Sequence, residues 1–314
     1  MQSLSLRIAE RRAEADSIIS LDLVSPDGGE LPSWDPGAHI TLTLRNGLLR
    51  QYSLCGRREA RDRYRIGVLR EQNGRGGSSF VHDGLAVGDV VAARAPVNHF
   101  PLEQSDRYSF IAGGIGITPI MPMVEALDAA GADYELFYGA RNITRMAFRD
   151  ELQSYGERVR FWPEDRNGII PLEELVDKAN GALIYACGPA PMLDRLQEIC
   201  AQRGVADRLR MERFSAGALA EPVGEARSFT AVIASTGQEI DVAADQTLLN
   251  ALLDAGVDVV FSCEEGTCGT CEMKVLEGEP EHRDFILSES QKKSGKYIMP
   301  CVSRATSKRI VLDI

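Results

Sequence analysis

Seven cysteines occur in the 314 residues, and four are spaced as Cys263-x4-Cys268-x2-Cys271, with Cys301 following after 29 intervening residues. This is the spacing that holds a plant-type [2Fe-2S] cluster. Two sulfide-bridged irons need four thiolates that converge from one tight loop and one distant strand. Gly266 and Gly269 permit the bend, because glycine takes positive φ and lets backbone N–H groups approach sulfur. The alternatives are a zinc knuckle and a set of buried thiols. Structural zinc usually draws on two short Cys pairs; only one such pair exists here, so the spacing favours the cluster.

A length of 314 residues suggests two or three domains. Hydrophobic content of 44% and charged content of 26% suit an ordinary globular chain. No run of 18 apolar residues appears, so no membrane span is expected. The first twenty residues lack the basic and apolar regions of a secretory signal. A cytoplasmic, thiol-reducing setting is the expectation, and it suits cysteines used as ligands. A net charge of −11 argues against nucleic acid, whose phosphates would be repelled.

Residues 1 to about 100 read as β-rich. Short alternating runs at 5–11, 18–25, 39–44, 48–53, 64–69 and 89–94 are broken by Gly, Pro, Asp or Asn, the pattern of a small antiparallel barrel. Two stretches exceed a barrel's needs. Arg50-Gln51-Tyr52-Ser53 offers a cation, a stacking face and a hydroxyl, although a strand with a polar outer face reads the same way. Asn73-Gly-Arg75-Gly76-Gly77-Ser78-Ser79 can form an anion site where a helix begins, or simply a flexible turn. Together they point to a phosphorylated, ring-bearing cofactor.

From about Tyr108 strands and helices alternate, with strands at 108–112, 135–139, 158–162, 182–187 and 209–212 and helices at 119–130, 148–154, 171–179 and 192–202. That order implies right-handed crossovers and a parallel sheet. Between the first strand and helix lies Gly113-Gly114-Ile115-Gly116-Ile117-Thr118-Pro119. Its glycines would let a pyrophosphate approach the helix, with Thr118 as cap and Pro119 in the first turn. Tight strand-to-helix packing is the other reading of the glycines, and the Gly-x-Gly-x-x-Gly fingerprint is absent. Cys187-Gly188-Pro189 ends the fourth strand at the same carboxyl edge. Cys187 has no linked base and is not read as a nucleophile; Cys55 and Cys200 carry no role.

A small, Pro- and Gly-bearing stretch after Phe214 reads as a linker. Beyond it come strands at 229–234 and 239–242, a helix capped by Asp245, the cysteine loop, and strands at 273–276 and 309–312. The expected units are 1–103, 104–217 and 228–314, joined by a linker over 218–227. Their classes are an antiparallel β-barrel, an α/β parallel-sheet unit and an α+β (β-grasp) unit.

The whole chain resembles the phthalate dioxygenase reductase family, which includes vanillate demethylase reductases. The resemblance rests on RQYS at 50–53, GRGGSS at 74–79, GGIGITP at 113–119, CGP at 187–189, ERF at 212–214 and the four cysteines, in that order. It implies FMN on the barrel, NADH on the parallel sheet and a [2Fe-2S] cluster on Cys263, Cys268, Cys271 and Cys301. By the family pattern, Arg50, Gln51, Tyr52 and Ser53 hold the flavin, and Arg75, Gly76, Gly77, Ser78 and Ser79 cradle its phosphate. Gly113, Gly114, Gly116, Thr118, Pro119, the segment from Tyr138 to Arg141, and Cys187, Gly188 and Pro189 line the dinucleotide. Ser53 and Phe214 stand at the reacting centre, Phe214 where the nicotinamide enters. FMN over FAD and NADH over NADPH are carried over from the family. The clearest departure is Phe161-Trp162-Pro163-Glu164-Asp165, which has no functional reading.

Nicotinamide gives two electrons as hydride and a [2Fe-2S] cluster takes one, a mismatch that a flavin bridges. No side chain need act as acid or base, and His39, His82, His99 and His282 form no triad or ligand pattern. The resemblance implies an NADH-dependent iron–sulfur flavoprotein reductase that works as a monomer and serves a Rieske oxygenase component. Residues 226–314 hold 14 Asp/Glu against 9 Lys/Arg. Glu264, Glu265 and Glu272 beside the ligands are expected to steer a basic patch on that partner. Other acceptors (a ferredoxin, a hydroxylase, ferric iron) and a redox-sensing cluster protein are the alternatives.

Overall fold

A computed structural model describes residues 3–45, 47–71, 76–215 and 227–314. The chain divides into two compact units, Met1–Arg213 and Phe214–Ile314.

The first unit opens with β1 (Ser3–Ala15), β2 (Ile18–Val24), β3 (Ala38–Thr43), β4 (Leu49–Ser53), β5 (Arg63–Leu69), α1 (Gly77–Gly84) and β6 (Val90–Asn98). The strands form an antiparallel sheet in the order β4-β3-β6-β1-β2-β5. A bridge between Leu54 and Ile66 brings the two ends of this sheet together, so that it curls into a barrel. Leu6 and Ile8, Leu21 and Leu23, Ile40 and Leu42, and Ile66 and Val68 alternate into the interior with the period of a strand. β1 runs on to Ala15, well past the expected end at residue 11, because it goes on pairing with β2 as far as Ala15 and Ile18, whereas β6 pairs only with residues 3–7.

The same unit continues with β7 (Arg107–Gly113), α2 (Ile117–Ala129), β8 (Asp133–Ala140), α3 (Arg149–Gln153), β9 (Val159–Pro163), α4 (Glu164–Asn167), α5 (Leu172–Lys178), β10 (Leu183–Cys187), α6 (Ala190–Gln202) and β11 (Leu209–Glu212). All five strands are parallel, in the order β11-β10-β7-β8-β9. The chain starts at the central β7, leaves to one side through β8 and β9, and returns to the other through β10 and β11. The carboxyl ends of β7 and β10 therefore flank the switch point where open α/β sheets bind ligands. Both faces are covered: Phe110 packs with Ile120 and Val124, whereas its neighbour Ile111 packs with Leu193 and Leu196.

One local expectation is corrected here. α2 starts at Ile117 after a 3₁₀ turn over Gly114–Gly116, so Thr118 lies inside the helix and does not cap it. Its hydroxyl donates to the Ile115 carbonyl (3.0 Å).

The second unit contains β12 (Phe229–Ile233), β13 (Glu239–Val242), α7 (Leu248–Asp254), β14 (Met273–Glu277), β15 (Pro280–Glu281), α8 (Glu289–Ser294), β16 (Tyr297–Ile298), β17 (Arg304–Ala305) and β18 (Arg309–Leu312). Its main sheet has the order β13-β12-β18-β14-β16, with β12 and β18 parallel and the other pairs antiparallel. Leu248, Leu249 and Leu252 of α7 pack with Val242, Ile310 and Leu312, so the mixed sheet grasps one helix. That helix is capped by Thr247, whose hydroxyl accepts from the Asn250 N–H (3.1 Å); Asp245 lies too far upstream. All but the last residue of the expected linker at 218–227 lies outside the described residues. Among the described residues no helix is long and apolar enough to cross a membrane.

Candidate functional site

The Cys263–Cys271 loop bends through left-handed backbone at Glu264 (φ 54°), Gly266 (φ 69°) and Gly269 (φ 70°). Successive turns of this hand aim backbone N–H groups inward. The Glu265 and Thr267 N–H groups donate to Cys263 Sγ at 3.3 and 3.4 Å. A Cβ on Gly266 would come within 2.6 Å of Val302, so that position has no room for a side chain. Cys271 and Cys301 bring their sulfurs to 3.4 Å. Two thiolates on one tetrahedral iron, each about 2.3 Å from the metal, stand about 3.7 Å apart, so this pair suits a shared iron. Hydrogen bonds from Cys268 first, then from Cys301 and the Glu265 amide, hold the Cys263 thiol low. Among the described residues no group of three or more His, Cys, Asp or Glu is arranged around a single metal ion. The donor set, four thiols from one loop and one distant turn, fits a cluster. Beside it, Glu272 has its carboxyl pushed up by burial and then by the charge of Asp284.

In the barrel, β4 carries Arg50, Gln51, Tyr52 and Ser53. Arg50 lies across the start of α1, where a Cβ on Gly77 would meet its Nε at 2.3 Å. A guanidinium thus stands over a helix N-terminus, a pairing that suits an anion. Gly76, at the N-cap with φ 81°, has nothing within 4 Å of an added Cβ. Ser78 accepts from the Glu71 N–H (3.0 Å), and Ser79 is partly exposed on the same turn. The Tyr52 hydroxyl is buried and has no hydrogen-bond partner among the described residues, as a group left for a ligand would be. Arg75 lies outside the described residues.

At the switch point the glycines divide into two kinds. A Cβ on Gly116 would reach the Cys187 carbonyl at 2.2 Å, one on Gly113 would meet Pro189 at 2.7 Å, and one on Gly188 would meet Met192 at 2.5 Å. These three let the turns after β7 and β10 touch. Gly114 differs: its φ is +55° and nothing lies within 4 Å, so the open side of the crevice is here. Pro119 is buried in the first turn of α2, and the Thr118 methyl lies 2.7 Å from an added Cβ on Gly67 of the barrel. Tyr138 turns its ring into the core near Phe161, because strand alternation sends it there, so its side chain does not line the edge; Arg141 is exposed. Cys187 is wholly buried, and burial followed by Glu212 pushes its thiol well up.

Glu212 received no role from the sequence, yet it is the group that joins the halves of this unit. Ser53 Oγ donates to its Oε2 at 3.4 Å across 159 positions of sequence. It keeps some exposed surface, but loss of water around the carboxyl pushes it up to about 8, against the lowering pull of Ser53. The pairing of Cys187 with Glu212 in adjacent strands places the thiol, carboxyl and hydroxyl at one corner. Phe214 begins the second unit and is 44% exposed. Trp162 has a structural role: its indole N–H donates to the Gly168 carbonyl (2.9 Å) and its ring packs on Phe137, which closes the turn around α4. The histidines are likewise structural; burial and then His99 push His39 down to about 4, and His82 bonds the Val68 carbonyl.

Residues 231–306 match the 2Fe-2S iron-sulfur cluster binding domain, and residues 110–198 match the oxidoreductase NAD-binding domain. Vanillate O-demethylase oxidoreductase from Pseudomonas sp. (strain HR199 / DSM 7063) is 42% identical over 98% of both chains. The structure of phthalate dioxygenase reductase, described as modular for electron transfer from pyridine nucleotides to [2Fe-2S], superposes with a TM-score of 0.72. It is 35% identical over 99% of this chain and 98% of its own. An intact type IV self-sufficient cytochrome P450 monooxygenase matches with a TM-score of 0.92 and 39% identity over 99% of this chain, which spans 41% of that longer one. The chain belongs to the phthalate dioxygenase reductase and vanillate demethylase reductase family of iron–sulfur oxidoreductases.

Proposed function

We propose that this protein is the reductase component of an oxygenase system, with FMN on the barrel of residues 1–103, NADH on the sheet of 104–217 and a [2Fe-2S] cluster in 228–314. When bound, the nicotinamide supplies hydride, the flavin turns a two-electron input into single electrons, and the cluster passes them outward. The observation that carries this reading is the convergence of Cys263, Cys268, Cys271 and Cys301 in a chain that also bears an open, glycine-lined sheet edge.

The chain's own residues bind and orient. Arg50 and the first turn of α1 hold a phosphate, Tyr52 and Ser53 hold the ring, and Gly114 leaves room for the dinucleotide. Glu212 keeps the Ser53 hydroxyl turned toward the corner shared with Cys187. The acidic residues Glu264, Glu265 and Glu272 steer a basic patch on a Rieske oxygenase, and the reductase works as a cytoplasmic monomer.

The test is NADH-dependent turnover of candidate oxygenases by the purified chain. Turnover with a Rieske oxygenase supports the reading, whereas NADH oxidation that never leaves the flavin contradicts it. The likeness to the self-sufficient P450 favours a second acceptor class, a haem monooxygenase, which the same assay distinguishes.

A further inference from the structure

We propose that the buried Asp284 is a positioning residue that clamps the cysteine loop to the Cys301 segment and sets the charge environment of the cluster. The inference rests on the cluster reading above.

Asp284 has a fully buried side chain in a stretch that belongs to no helix or main-sheet strand. Its Oδ1 accepts from the Ile286 and Leu287 N–H groups at 3.2 and 2.8 Å. Its Oδ2 lies 3.5 Å from the Ser303 hydroxyl and 3.6 Å from His282 Nδ1, a buried nitrogen with no hydrogen-bond partner of its own. Three donors, the Ile286 and Leu287 N–H groups and the Ser303 hydroxyl, face the two oxygens, the complement of an acceptor-only carboxylate. A buried charge with this many donors is costly to break, and it holds its surroundings in one arrangement.

The residues it fixes are the supports of the cluster. Ser303 follows Cys301 by two positions and also accepts from the Arg283 N–H (3.1 Å). On the opposite side, the Phe285 N–H donates to the Gly266 carbonyl (2.9 Å), and a Cβ on Gly266 would come within 3.1 Å of Asp284 Cα. The ligand loop thus rests on the backbone of Asp284 and Phe285, and the fourth ligand's turn on its side chain. Lys292 of α8 completes the clamp: its Nζ donates to the Asp284 carbonyl (3.0 Å), and its own carbonyl lies 3.2 Å from His282 Nε2. Cluster potentials respond to nearby net charge and to the order of the surrounding shell. A fixed negative charge behind the loop therefore opposes electron uptake.

The experiment uses the full chain with Asp284→Asn, which keeps shape and removes charge, and Ser303→Ala, which removes one donor. We would measure the visible spectrum, the cluster midpoint potential and the half-life of the cluster against an iron chelator. Asp284→Asn is expected to favour the reduced cluster about tenfold, a rise of about 59 mV for one electron, and to shorten the chelator half-life about tenfold. Ser303→Ala is expected to shorten the half-life about threefold, and it decides the matter if Asp284→Asn does not fold. NADH-driven dye reduction at the flavin is expected to stay unchanged. Potential and half-life equal to the parent's in Asp284→Asn, or an unchanged half-life in Ser303→Ala if the former does not fold, overturn the clamp. A parent chain that holds no cluster instead overturns the functional reading on which it rests.

Discussion

The cysteine loop and the switch-point edge are both built around glycines, but they use them in opposite ways. In the loop, Gly266 and Gly269 take positive φ so that side chains can converge, and the chemistry is done by thiols. At the sheet edge, Gly113, Gly116 and Gly188 remove side chains so that backbones can touch, and Gly114 alone faces open space. A site that binds metal by covalent ligands therefore writes itself into residue spacing. A site that binds a dinucleotide through backbone is written as missing side chains, and the same signal also marks tight packing.

Substitutions can break this contrast. The largest effect is expected from Cys268→Ser: the cluster's visible absorption is lost and cytochrome c reduction falls more than about a hundredfold, while flavin-level dye reduction by NADH survives. A normal cluster spectrum in that variant would remove Cys268 from the ligand set. Gly116→Ala forces a Cβ onto the Cys187 carbonyl and should cost about 3 kcal/mol in denaturant unfolding. Gly114→Ala meets only its φ penalty, about 1 kcal/mol, and should chiefly raise KM for NADH. Equal stability losses in the two would erase the distinction drawn between them.

Glu212 tests whether the barrel and the sheet share one polar corner. Its carboxyl sits near 8 when folded and near 4.5 when unfolded. The unfolded chain therefore releases this proton first, and the carboxyl's contribution to stability declines as pH rises from about 4.5 to about 8 and is constant above. The decline is of the order of 5 kcal/mol. Thermal unfolding of the flavin-free chain between pH 5 and 8 should show it, and Glu212→Gln should flatten it; an identical slope in the variant would contradict the assignment. Arg50→Ala should weaken FMN binding by about 2 kcal/mol, read as flavin occupancy on dilution. The smallest effect belongs to Glu264→Lys with Glu265→Lys, about 1 kcal/mol or less in apparent oxygenase affinity at low salt and less at high salt. Turnover insensitive to both charge reversal and ionic strength would remove steering from the account.

Much of this was legible along the chain. The barrel's alternating runs, the βα alternation after Tyr108 and the four cysteines each declare themselves within a short window. What stayed hidden depends on contacts across the fold. Glu212 gains its role from Ser53, 159 positions away, and no local pattern links the two. Tyr138 looked like a pocket residue because it stands in an edge segment, yet the pleat turns its ring into the core. Thr118 and Asp245 had capping chemistry but stood at the wrong helical positions; the 3₁₀ turn over Gly114–Gly116 moved one helix start, and Thr247 captured the other. Trp162 stood in a departure with no functional reading, and its hydrogen bond to Gly168 gives it a folding role.

The central claim is that electrons from NADH cross a flavin before they reach the four-cysteine cluster and leave from it. The most direct test is anaerobic addition of NADH to the full chain, followed by the paramagnetic signal of the reduced cluster and the bleaching of the flavin, in protein with FMN and in protein stripped of it. The account predicts flavin bleaching and then a cluster signal in the complete protein, and no cluster signal without FMN. A cluster reduced by NADH in the stripped protein, or one that stays oxidised while the flavin is fully reduced, would contradict it.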